Sequence, residues 1–142
     1  FSANTYLSMS AYFAQQCLDG FAHWFFHQYR EELEHAEDMM RYVISRGGRV
    51  EIKAVDAVET NFSSALEIAE KTYAHECLVS EKIEALVRLA AEEKDMPSQD
   101  FFWKYIREQV EEEANATTLI DRIRLSEGHS LLFLDKELGE RK

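Results

Sequence analysis

The sequence predicts an all-α fold: a four-helix bundle with one long crossover and a short fifth helix near its C-terminal end. Three observations carry that expectation. With one Pro and five Gly in 142 residues, few positions can interrupt a helix. Apolar residues recur at helical spacing over four stretches, the longer ones reaching about 40 Å at 1.5 Å per residue. The connections are short, long and short in turn, which matches a bundle with a single crossover.

The first helix is expected from Phe1 to about Gln16, with "CLDG" (17–20) as a break that permits an antiparallel return. The second runs from about Phe21 to Arg46, where Gly47 and Gly48 supply a stop. Residues 49–62, "RVEIKAVDAVETNF", lack helical periodicity and read as the extended crossover. Ser64 with Glu67 resembles a capping box that opens the third helix, which continues to about Lys94. "DMPSQD" (95–100) turns the chain, with Ser98 as the expected N-cap of a fourth helix that ends near Leu125. "SEGHS" (126–130) precedes a short amphipathic tail helix, "LLFLDKEL" (131–138). One domain covers 1–142.

Composition narrows the function classes. A net charge of −11 with no basic block argues against a nucleic-acid partner. No apolar run approaches the roughly 18 residues of a membrane span, so no membrane partner is expected. Cys17 and Cys77 have no metal-type spacing and suggest no disulfide framework, which points to reduced thiols and a cytoplasmic location. No signal peptide is visible; that carries little weight, because "FSANTYLSMS" reads as the interior of a helix.

The informative pattern lies on the inward stripes. In the second helix the stripe runs Phe21, Phe25, Gln28, Glu32, His35, Met39, Tyr42. In the third it runs Leu66, Ala69, Tyr73, Glu76, Ser80, Ile83, Val87, Ala90. In the fourth it runs Phe102, Tyr105, Gln109, Glu112, Ala116, Leu119, Ile123. Each of these helices thus places a carboxylate near the middle of an apolar face. Any one of them is readily explained as a solvated residue with the phase misjudged. Three at the same height are harder to explain so, since burying carboxylates together costs several kcal/mol each and raises their pKa values.

Bound cations relieve both problems, and oxygens with one imidazole form a ligand set for them. Glu32 and His35 are three apart and can grip one metal from one helix face. Helical Glu-x-x-His is the ligand pattern of di-iron carboxylate bundles. Glu31, Glu108 and Glu111 neighbour the stripe and either extend the ligand field or form a solvated flank. Six such glutamates would account for more than half of the net charge of −11. His23, His27, His75 and His129 read as lying outside the site, and Trp24 and Trp103 as packing residues.

"YLSMSAYF" (6–13), "EELEHA" (31–36), "YAHE" (73–76), "EQVEEE" (108–113) and "LLFLDKEL" (131–138) together resemble the non-haem ferritins of bacteria and archaea, in order and over essentially the whole chain. The resemblance implies a ferritin-like bundle in which Glu32 bridges two irons and His35 ligates the first. Glu76 and Glu112 would complete the second site, with Gln109 nearby and Tyr6 as the tyrosine beside the di-iron centre. Glu31, Glu108, Glu111 and Glu112 look like the family's additional iron site. The family stores iron in a hollow shell of 24 subunits, oxidising ferrous iron with dioxygen or peroxide and laying down ferric mineral. Haem-binding relatives carry a methionine just after the bridging glutamate; Leu33 stands there here, so no haem is expected.

Two rival readings belong to other classes. A di-iron oxidoreductase of the rubrerythrin type, acting on peroxide, would carry a second Glu-x-x-His, whereas Gln109 to Glu112 follows the ferritin pattern. A non-catalytic helical scaffold would be inert to ferrous salt. One expectation concerns the start of the chain. Ferritins carry a first-helix glutamate that would fall two places before Phe1, so the sequence reads as lacking the first part of that helix.

Overall fold

The computed structural model describes residues 1–127 and 129–142. Five helices follow one another: α1 (Ser2–Gln15), α2 (Asp19–Ser45), α3 (Ala65–Glu92), α4 (Met96–Leu125) and α5 (Leu132–Leu138). They gather into two compact units, one of Phe1–Ser63 with His129–Lys142 and one of Ser64–Gly128. Within the expected "SEGHS" turn, Gly128 lies outside the described residues.

The first unit pairs α1 with α2 and seats α5 on α2. Its core is aromatic. Phe13 stacks on Phe21 at 4.7 Å and on Phe25 at 5.3 Å, and Trp24 meets Phe25 edge-on. Such offset and edge contacts add to what burial of the rings contributes. Ser10, buried among them, donates to the Ala22 carbonyl at 2.7 Å. Residues 48–62 form no helix or strand, as expected, and are tied to α1 by Ser8 donating to the Glu59 carbonyl and by Tyr12 against Phe62.

α2 begins without a side-chain cap of its own. The orphan amide of Phe21 instead donates to Asp135 Oδ1 of α5 at 2.9 Å. A carboxylate at this helix N-terminus satisfies a donor and complements the helix dipole. Leu134 and Leu138 are buried, while Leu132 and Phe133 are 65% and 76% exposed. The apolar tail therefore uses only half of its run to dock within this chain.

The second unit pairs α3 with α4. Ser64 caps α3 by accepting from the Glu67 amide at 3.1 Å, as the capping-box reading expected. For α4 the expected N-cap, Ser98, is not the cap. Asp95 takes that place, accepting from the Ser98 amide at 3.2 Å and from its hydroxyl at 2.6 Å. The helix then starts with Met96 and Pro97, a first-turn position where proline loses no hydrogen bond. One stripe position also differs: Tyr73 is 40% exposed and its neighbour Thr72 is buried, its hydroxyl returned to the Ile68 carbonyl. Ala69 before it and Glu76 after it are buried as expected, so the departure is confined to one turn, where Thr72 rather than Tyr73 bridges the two inward positions.

Three helices end in the same way. Leu18 donates to Phe13, Gly48 to Val43 and Asp95 to Ala90, each closing a Schellman-type turn around a residue of positive φ. In α2 that residue is Gly47 (φ 77), but in α1 and α3 it is Cys17 (φ 58) and Lys94 (φ 55). A side chain in this region is strained against the neighbouring carbonyl, and glycine relieves it. Cys17→Gly and Lys94→Gly are each expected to stabilise the protein by about 0.5–1 kcal/mol. Urea midpoints measure it; a midpoint that does not rise in either variant refutes the strain.

Candidate metal centre

The first unit carries Glu32 and His35 one turn apart on α2. Their side chains are 18% and 22% exposed, and Glu32 Oε1 lies 3.5 Å from His35 Nδ1. Helical i, i+3 spacing alone produces this: both side chains lean toward the N-terminus over the same face. Tyr6 is fully buried, its ring 6.2 Å from that of Phe25.

Glu31, next to the stripe, meets different partners. Its Oε2 takes a 2.9 Å ion pair from Arg141, and its Oε1 stands 3.3 Å from His27 Nδ1. Arg141 is itself held, with its guanidinium 4.8 Å above the Trp24 ring, Nη1 on the Trp24 carbonyl, and its own carbonyl 2.6 Å from His23 Nε2. Of the two readings left open for Glu31, ligand or flank, the structure gives it a cationic partner from the tail.

The second unit carries the more buried half of the expected set. Glu76 is 1% exposed on α3 and Gln109 is 7% exposed on α4. Gln109 Nε2 donates to Glu76 Oε2 at 3.0 Å and to the Glu76 carbonyl at 3.2 Å. The amide bonds keep the carboxylate turned toward α4. Glu108 and Glu112 are half-buried along the same helix, whereas Glu111 is exposed. Among the described residues no group of three or more His, Cys, Asp or Glu side chains is gathered as a metal-holding set. What each unit holds is a pair, Glu32 with His35 and Glu76 with Gln109.

Three partners were missed by sequence reasoning. Ser80 accepts from the Gln109 amide and donates to Glu113, and Arg141 joins Glu31. Ser80 and Glu113 each lie four residues past a site residue, and that spacing was a usable signal. For Arg141, beyond the tail helix, there was none. Tyr73, out on the α3 surface, hydrogen-bonds the Cys77 side chain. That bond, then the charges of Cys77 and Glu113, hold its phenol above the ordinary value.

Each pair by its chemistry suits a hard cation, the Glu32 and His35 pair one that also tolerates imidazole. Carboxylate and amide oxygens dominate, with one histidine and no thiolate. No helix among the described residues is long and apolar enough to cross a membrane.

A family model for the ferritin-like domain matches residues 1–126. The chain is 45% identical over 140 residues to a bacterial non-heme ferritin of Bacteroides fragilis, covering 99% of this chain and 88% of that protein. It is 36% identical over 138 residues to one of Campylobacter jejuni, covering 96% and 83%. Among solved structures, an open pore ferritin from the archaeon Archaeoglobus fulgidus superposes with a TM-score of 0.97 at 43% identity, covering 99% of this chain and 87% of that one. That likeness carries the expected fold class, an all-α bundle with one long crossover and a short fifth helix.

Proposed function

Because the chain belongs to the ferritin-like family, we propose that it stores iron and oxidises it on entry, as a cytoplasmic protein assembled into a multi-subunit shell of 24 copies. The observation that carries this reading is Glu76: a carboxylate buried to 1% exposure and held by an amide. Burying an ionised carboxylate is expensive unless a cation occupies the site for part of its working cycle.

Ferrous iron is the substrate. Glu32 would bridge two ions, His35 would bind the first, and Glu76 and Glu112 the second. Gln109 orients Glu76, and Tyr6 would stand beside the pair of ions. Glu108 and Glu111, with Glu31 once it is released from Arg141, would take a further ion. Hard carboxylate oxygens favour the ferric over the ferrous state, which eases electron loss. Each of two ferrous ions gives up one electron; dioxygen takes the pair with two protons and leaves as hydrogen peroxide. Delivering both electrons together avoids a one-electron oxygen radical.

The test is Glu76→Gln, which keeps the shape and removes the charge. The initial rate of ferric formation after ferrous addition in air is expected to fall roughly 10- to 100-fold. A variant that oxidises iron at the parent rate would overturn the assignment.

A further inference from the structure

In the second unit a chain of hydrogen bonds runs from the surface to Glu76. Ser80 lies one turn past Glu76 on α3, and Glu113 one turn past Gln109 on α4. The Ser80 hydroxyl donates to Glu113 Oε1 at 2.5 Å. Gln109 Nε2 stands 3.3 Å from Ser80 Oγ, in addition to its bonds to Glu76. A pocket of about 190 Å³ lies over this chain, lined by Ser80, Glu84, Ile106, Gln109, Val110 and Glu113.

The chain has a direction. A carboxylate only accepts, so the single hydroxyl hydrogen of Ser80 is committed to Glu113 and its oxygen is left to accept. Three oxygens then crowd one end of the Gln109 amide: Ser80 Oγ, Glu76 Oε2 and the Glu76 carbonyl. Only the NH₂ end of the amide can face them. Turning the amide over would set its own oxygen against all three. The half-buried Glu113 carboxylate therefore fixes Ser80 Oγ as an acceptor and adds a third oxygen to the two of Glu76 that select this orientation.

We propose that Ser80 and Glu113 are positioning residues for iron oxidation, fixing the Gln109 amide and through it the Glu76 carboxylate. This rests on the function proposed above. Without the Glu113 acceptor, the Ser80 hydroxyl is no longer committed, and its oxygen no longer has to accept from the amide. Without the hydroxyl, one of the three oxygens that select the orientation is gone. In either case the amide keeps its two bonds to Glu76 but loses its third anchor, so amide and carboxylate are held less tightly.

Ser80→Ala, Ser80→Thr and Glu113→Ala in the full, assembled chain test it, beside the parent and Glu76→Gln. Three readouts apply: ferrous oxidation rate against iron concentration, anaerobic Co²⁺ affinity, and the visible absorption of bound Co²⁺, which reports ligand geometry. Ser80→Ala and Glu113→Ala are expected to lose roughly tenfold in maximal rate or metal affinity and to shift the cobalt bands. Ser80→Thr, which keeps the hydroxyl, is expected to restore both. Parent-like rate, affinity and cobalt bands in Ser80→Ala would overturn the proposal, as would a threonine that fails to rescue. If Glu76→Gln is impaired and Ser80→Ala is not, the relay alone falls. If Glu76→Gln also behaves as the parent, the oxidation site itself has been misassigned.

Discussion

Glu32→Ala is expected to abolish rapid ferrous oxidation while leaving the helices intact. Glu32 is the residue that both irons would share, so its loss removes a ligand from each ion and the link between them. Partners that merely orient metal ligands are worth 10- to 100-fold, and a shared ligand is expected to cost at least about 100-fold. Stability should hold or rise. The Glu32 side chain is 18% exposed and faces His35 at 3.5 Å, so the substitution removes a partly buried charge and opens no apolar cavity. Stopped-flow absorbance of ferric product, beside a thermal melt, gives both quantities. Undiminished oxidation in a folded variant would sink the role of Glu32. A collapsed melt would instead show Glu32 to be a structural residue.

Gly20→Ala is expected to detach the tail. A Cβ at Gly20 would lie 1.6 Å from the Asp135 carbonyl oxygen, 2.5 Å from its carbon and 3.0 Å from the Gly139 nitrogen. All three are backbone atoms, so no side chain can rotate away and α5 itself must move. With it go the Asp135 cap on Phe21, the burial of Leu134 and Leu138, and the hold of Arg141 on Glu31. A helix cap contributes about 1 kcal/mol and each buried leucine about 1.5–3 kcal/mol, partly regained as the tail relaxes. A net loss of about 2–4 kcal/mol is expected, with rapid proteolysis of residues 129–142. A cleavage pattern and melting midpoint equal to those of the parent would refute this.

Much of this architecture was legible in the sequence because it depends on local rules. The stripe of α2 reads correctly through Phe21, Phe25 and Gln28, all buried, and on to the half-buried Glu32 and His35. Ser64 announces its helix by the type and spacing of its partner Glu67. Where two rules competed, the reading went astray: Asp95 and Ser98 are both good caps, and Pro97 in the first turn decides for Asp95. Tyr73 was misplaced because positions 72 and 73 both fit between Ala69 and Glu76 at helical spacing, and spacing alone does not choose between them. Asp135 and Arg141 were beyond reach for a different reason. Their partners, Phe21 and Glu31, lie 114 and 110 residues away, and no local pattern encodes a docking between elements so distant.

That separation also bears on the order of events during synthesis. The α3–α4 pair is contiguous in the chain, and its contacts form as soon as residues 64–127 have emerged. The start of α2 emerges far earlier, yet its Phe21 amide waits for an acceptor until residue 135 has been made. Closing so long a loop is slow, and the closure comes last. Until then the seat for Leu134 and Leu138 on α2 stays open to water and to neighbouring chains on the same message. The tail thus acts as a late latch, and a nascent chain stalled before residue 135 would present that seat to chaperones.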